Sequence, residues 1–186
     1  MTGYVLAALA AVLLFWGVMT FNGLVRRRNM VAEGWSGIEA QLKRRADLIP
    51  NLVETVKGYA AHERGTLDEL TKLRSSAQQA PSVDVQARAE TERQITAMIG
   101  RVMAVAEAYP DLKASANFQS LQQDLGEIED QIQLARRYYN GTVRDFNVMI
   151  EQVPSNMIAA WFAFKQAAFF EIENAAERNV PKVSFS

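Results

Sequence analysis

The chain predicts an all-α fold in which an N-terminal transmembrane helix continues into an elongated antiparallel four-helix bundle. Three observations predict it. An uncharged apolar run, GYVLAALAAVLLFWGVMTFNGLV, fills residues 3–25. Glycine and proline are few, Gly 10 and Pro 5, and strand formers do not fall into alternating runs. Apolar residues instead recur at three and four over long stretches. The longest stretch takes in Phe118, Leu121, Leu125, Ile128, Ile132, Ala135, Tyr139, Thr142, Phe146, Met149 and Val153. That heptad seam describes a helix packed lengthwise on others, with Gln, Asp, Glu and Arg on its remaining faces.

The apolar run comes first in the chain. Roughly 20 residues at about 1.5 Å each cross a hydrocarbon core of about 30 Å. A secretory signal peptide competes with this reading, but it carries its basic residues before the apolar core and small residues at its exit. Here Arg26, Arg27 and Arg28 follow the run, and Phe21, Asn22 and Leu24 occupy the exit, so an uncleaved anchor is the better account. A lipoprotein needs a cysteine, and the chain has Cys 0. Basic residues flanking a span stay on the cytoplasmic side, which predicts a cytoplasmic body with Arg26, Arg27 and Arg28 at the membrane surface.

A second stripe, Trp35, Ile38, Leu42, Arg45, Ile49, Leu52, Val56 and Tyr59, keeps its phase through Pro50. The proline should therefore kink this first helix and not end it. Because the stripe starts ten residues after the span, anchor and first helix are expected to be continuous. Residues 74–84, RSSAQQAPSVD, lose the stripe and gather turn formers, which predicts a linker. A second helix follows, burying Ile95, Met98, Ile99, Val102 and Val105, and ending near Tyr109 and Pro110. The seam of 118–153 is the third. The last corner falls at Val153 and Pro154, with Ser155 as N-cap of a fourth helix starting at Asn156. In an up-down-up-down order this fourth helix starts at the end far from the membrane. The domain plan is an anchor over 1–28, a bundle over 29–175 and a tail over 176–186.

Residues 157–172, MIAAWFAFKQAAFFEI, point aromatics in several directions. An all-round apolar surface must be covered. A second membrane element is one reading, but the segment is shorter than a full span and starts far from the membrane, which favours a core helix with one face on another subunit or partner. Trp161, Phe162, Phe164, Phe169 and Phe170 are the predicted partner-binding residues.

Chemistry is sparse. The single histidine, His62, has no HExxH partner and no cysteine, so neither a zinc site nor the common nucleophile and base pairs can be assembled. No glycine-rich loop is present to hold phosphate. Asp124, Glu127, Glu129 and Asp130 fall mainly off the seam, as solubility and pairing charges do. With Lys+Arg 20 against Asp+Glu 21, nothing suggests a nucleic-acid binder. In the basic cluster Lys43, Arg44 and Arg45, the last lies on the stripe itself and requires a carboxylate partner. The sequon at Asn140 has Thr142 on the seam inside a helix, where chance occurrence explains it.

QLKRRADLIPNLVETVKGY at 41–59, His62 with Glu63, AEAYPDLK at 106–113, Asn117 with Phe118 and Leu121, ARRYYN at 135–140, Phe146 with Asn147, and the closing PKVSF together resemble the LemA family over almost the whole chain. The resemblance implies a bacterial membrane protein with an N-terminal anchor and a four-helix bundle and with no established catalytic residues; the expected location is the inner membrane, and no cofactor is expected. It also implies a related branch in the magnetosome membrane, and genes often placed beside those of integral-membrane zinc metalloproteases. The expected function is that of a non-enzymatic envelope scaffold or adaptor, with the lipid bilayer, further copies of itself or an envelope protein as partners. No nucleic acid or small-molecule substrate is expected. The alternative is an accessory or regulatory partner of an integral-membrane zinc metalloprotease, and an enzyme built on Glu63 and His62 is a third reading.

Overall fold

The computed structural model describes residues 1–60, 63–79 and 84–171. Their regular structure is helical, and the fold is all-α: α1 (Thr2–Lys57), α2 (Arg64–Gln79), α3 (Val85–Ala106), α4 (Pro110–Lys113), α5 (Ala116–Glu151) and α6 (Ser155–Trp161). Anchor and first helix are one element, and α1 runs through Pro50 without a break. The described residues divide into two compact units, one of residues 1–39 with 134–169 and one within residues 40–133 with 170 and 171.

In the second unit five helices share one core. Ile49, Leu52, Val53 and Val56 come from α1, Leu67, Leu70 and Ala77 from α2, Ile95, Met98, Val102 and Ala106 from α3, Leu112 from α4, and Phe118 and Leu125 from α5. The spacing of three and four explains why these side chains meet along one seam. Asp84 caps α3, its carboxylate accepting from the amides of Gln86 and Ala87 at 3.1 and 3.0 Å. Tyr109 and Pro110 then open α4, a single turn with Leu112 buried beneath it.

Here the expected element order needs correction. Residues 64–79 form a helix, so the predicted linker begins six residues too early and a whole element is added before α3. Ser and Gln in its last turns resemble turn chemistry, yet Ala77 is buried there and Arg88 Nη1 donates to its carbonyl. His62 lies outside the described residues.

In the first unit α1 and α5 run antiparallel, a direction given by register alone. Arg27 meets Asp145, Gly23 meets Met149, and Gly17 meets Ile158 just past the end of α5. The closest approach to the backbone of α5 is at Gly34, where an added Cβ would lie 3.2 Å from the Tyr139 Cα. Leu24, Phe146 and Ala159 form the buried centre, with Val31, Met149, Ile150, Ile158 and Phe164 packed around it.

The expected fourth helix is also shortened. It stops at Trp161, because Ala163 takes a left-handed φ of 54° and the chain closes a Schellman turn. The Phe164 amide donates to the Ala159 carbonyl at 2.9 Å, and that of Ala163 to Ala160 at 3.1 Å. No glycine or proline marks this stop. Ser155 is not the N-cap either: its hydroxyl lies 2.8 Å from the carbonyls of both Met149 and Gln152, sharing its one proton between them, and so closes the end of α5.

Candidate interaction site beside the apolar helix

The first fourteen or so residues of α1 are uncovered along their whole circumference, with Tyr4, Val5, Leu6, Leu9, Val12, Leu13, Leu14 and Phe15 all exposed. No other helix among the described residues is long and apolar enough to cross a membrane. From Trp16 onward the same helix acquires neighbours. Thr20 and Leu24 are buried, and Phe21 stacks its ring 4.6 Å from that of Phe162 and 5.9 Å from that of Phe164.

The corner after α5 therefore sits beside the apolar helix, against the expectation that it starts far from it. One uncounted helix reverses the direction assigned to every later element, which is why the error arose. An open cleft at the corner is lined by Trp16, Thr20, Arg27, Asp145, Val148, Met149, Gln152, Val153, Pro154 and Ser155.

The five predicted aromatics separate. Trp161 is 84% exposed and Phe162 54%. Phe164 is half-buried, set edge-on to Phe146 at 6.3 Å with the Arg28 guanidinium 5.5 Å above its ring. Phe169 is 40% exposed, and Phe170 is fully buried in the second unit. Among the three flanking arginines, Arg27 lies 3.9 Å from the Asp145 carboxylate and Arg28 caps Phe164, while Arg26 is exposed.

Past Ala163 the chain has no regular secondary structure and is held by side chains of α5. Asn147 Nδ2 donates to the Ala167 carbonyl at 3.0 Å while its Oδ1 accepts from the Ala167 amide at 2.9 Å, a two-point clamp that imitates a strand pairing. The Tyr139 hydroxyl donates to the Ala168 carbonyl at 2.8 Å. Burial pushes the Tyr139 phenol above its usual range, since the ionised form loses hydration there.

The second unit holds the other chemically dense place. Arg45 and Glu92 are both 2% exposed, and Arg45 Nη1 donates to Glu129 Oε2 at 2.9 Å and to Thr96 Oγ1 at 2.8 Å. Its Nη2 donates to Glu92 Oε2, and Glu92 Oε1 forms an ion pair with Arg88 Nη2 at 2.9 Å. The carboxylate that Arg45 requires is thus supplied twice. Glu129 leaves the set of purely solvated carboxylates, and Gln133 donates to its second oxygen at 2.9 Å. Asp124, Glu127 and Asp130 are exposed along an open groove. Lys43 pairs with Asp47 at 2.8 Å on the same helix. Among the described residues no group of three or more His, Cys, Asp and Glu is placed to hold a metal. Thr142 is buried on the seam, its hydroxyl donating to the Tyr139 carbonyl.

Leu134, Tyr138 and Val148 escaped the sequence reading. They recur at four and ten residues on one side of α5 and are each about half exposed. The signal was present in the spacing, but the stronger seam one position away obscured it.

One helix with the length and apolarity of a span, its apolar surface uncovered, gives the chain the build of a single-pass membrane protein with an all-α body. The LemA family model matches residues 34–185, and the chain belongs to the LemA family. It is similar to Protein LemA of Metamycoplasma hominis, 30% identical over 150 residues that cover 81% of this chain and 68% of that protein. It is also similar to Magnetosome protein MamQ 2 of Paramagnetospirillum magneticum, 33% identical over 79 residues. Magnetosome protein MamQ of Magnetospirillum gryphiswaldense is 28% identical over 79 residues. In both magnetosome proteins the match covers 42% of this chain and 29% of the relative. None of these names carries an enzymatic activity.

Proposed function

We propose that this protein is a non-enzymatic scaffold or adaptor of the bacterial cell envelope, anchored through residues 1–28 in the inner membrane with its helical body on the cytoplasmic side. It acts by self-association or by docking an envelope protein. The observation that carries this reading is the exposed apolar face of Leu134, Tyr138 and Val148 on α5. Outside the anchor, a row of this kind is what a helix offers to another helix. A second feature agrees with it: the buried charges Arg45 and Glu92 are paired with one another and with the partly exposed Arg88 and Glu129. Arg26, Arg27 and Arg28 directly after the apolar run support the cytoplasmic side.

Photocrosslinking amino acids placed at Leu134 and Tyr138 in living cells test the proposal. Capture of a second copy makes the protein a self-assembling scaffold, and capture of an envelope protein makes it an adaptor. A strict monomer in detergent with no specific adduct from either position rejects both.

A further inference from the structure

We infer that the corner between α5 and α6 is itself embedded in the bilayer, as a short apolar wedge in the same leaflet as the C-terminal part of the α1 span. The inference rests on the anchored reading of α1 and adds a second, non-spanning membrane contact to it. Four observations carry it.

The first is composition. Between Glu151 and Lys165 the chain has thirteen residues and no charge. The second is exposure: Val153, Met157 and Trp161, spaced by four, are 73%, 68% and 84% exposed, and Phe162 continues the same surface. A row of large apolar side chains with this exposure needs a cover.

The third observation identifies the cover. Gly17, inside the apolar run, has Ile158 within 3.8 Å of the position of its Cβ, and Phe21 stacks on Phe162. Counting along α1, Phe21 lies five residues before Arg26, about 7 Å, and Gly17 nine residues, about 13 Å. When the arginines lie among the headgroups, α6 occupies these depths beside the span. Amphipathic surface elements bury their apolar faces about 5–10 Å into the headgroup and acyl boundary. By the same register Glu151, the last charge before the corner, comes level with Phe21. The 19 residues from Gly3 to Phe21 still supply about 28 Å of span below that level. Below the level of Phe21 neither α1 nor the corner after α5 carries a charge.

The fourth concerns the backbone. A helix end in lipid must satisfy its carbonyls internally. At the end of α5 the Val148 carbonyl accepts from the Gln152 amide, that of Met149 from Ser155 Oγ, and that of Gln152 from Ser155 Oγ and the Asn156 amide. At the end of α6 the Schellman turn closes the carbonyls of Ala159 and Ala160. Trp161, with an apolar ring system and one N–H donor, suits the headgroup boundary.

Because the chain has no cysteine, single-cysteine variants of the full-length protein carry one label each. Nitroxide labels at Val153→Cys and Met157→Cys, in vesicles of phosphatidylethanolamine and phosphatidylglycerol, report collisions with oxygen, which concentrates in hydrocarbon, and with a nickel chelate, which stays in water. Leu9→Cys in the span and Gln123→Cys on the exposed face of α5 are the two references. The expected result is an oxygen-to-nickel ratio at both corner sites severalfold above that at Gln123 and approaching that at Leu9. A ratio equal to that at Gln123 overturns the wedge and leaves the anchor intact. Poor access for both reagents also overturns it, since a second copy or another protein then covers the surface. A Leu9 label in contact with water overturns wedge and anchor together. The scaffold reading stands or falls separately, on the crosslinks from Leu134 and Tyr138.

Discussion

The two compact units solve the problem of burying a helix seam with different materials. The unit of residues 40–133 uses a mainly aliphatic core drawn from five helices and sets a charged cluster inside it, with Arg45 and Glu92 fully withdrawn from water. The unit of residues 1–39 and 134–169 has a thinner centre, in which aromatic rings meet edge-on and tilted: Phe21 with Phe162 and Phe164, Phe146 with Phe164, Trp35 with Tyr139. Where five helices converge, enough apolar surface closes over to shelter ions. Where two helices meet, rings and a backbone clamp do the joining, and the apolar surface continues outward.

That contrast is most sharply tested at Glu92. Replacing it with leucine leaves the guanidiniums of Arg45 and Arg88 without their shared carboxylate, and breaking a buried pair costs about 3–5 kcal/mol. Chemical denaturation of the detergent-solubilised protein, followed by helical circular dichroism, should register this loss. Adding Arg45→Met to Glu92→Leu should return most of it, since a matched apolar pair replaces a matched ionic one. A double variant no more stable than the single would mean that the cluster's contribution lies in its geometry and not in paired charge.

The cluster also illustrates what a sequence discloses. Arg45 on an apolar stripe demanded a carboxylate, and the demand was legible; the suppliers were not, because Glu92 and Glu129 lie 47 and 84 residues away. The long seams of α1 and α5 were legible from periodicity, and Phe118, Leu121, Leu125, Ile132, Tyr139 and Phe146 are all buried. Other parts were disguised by residue type. The seam of α1 extends back through Val31, Leu24 and Thr20 by way of Gly34 and Arg27, at spacings of three and four, but a glycine, an arginine and a threonine do not register as apolar. Helix α2 buries only Leu67, Leu70 and Ala77 and closes on Ser and Gln, so it passed for a linker. The stop at Ala163 had no signal at all, because a left-handed alanine is held by its surroundings and not by its own preference. Missing α2 then misplaced the candidate site, since the sense of each later helix depends on the count before it.

A smaller effect separates the helix pair of the first unit from its own surface. Gly34→Ala pushes a methyl toward the Tyr139 backbone at 3.2 Å, where nothing flexible can yield, and overpacking of this kind costs about 1–3 kcal/mol. Gly37→Ala, three residues on, meets nothing within 4 Å and should stabilise by up to about 1 kcal/mol through helix propensity alone. Opposite signs in thermal unfolding support close packing at Gly34, and equal signs contradict it. Below this comes the clamp. Asn147→Ala removes both bonds to Ala167 and should cost about 2 kcal/mol, released locally as faster proteolysis near Lys165 before any change at α2 or α3.

The smallest effect belongs to Tyr139, and it depends on pH. Tyr139→Phe loses the bond to the Ala168 carbonyl while keeping the ring against Trp35, at a cost of about 1 kcal/mol near neutrality. Burial raises the phenol's pKa in the folded state, so folding favours the protonated form. The stabilisation is complete below the unfolded value of about 10 and is lost as pH rises through the folded one. The wild type should therefore lose stability on the alkaline side faster than Tyr139→Phe, and the gap between them should narrow above about pH 10. Parallel curves across that range would mean that the phenol is hydrated in the folded protein, and that the aromatic unit admits water where the ionic unit excludes it.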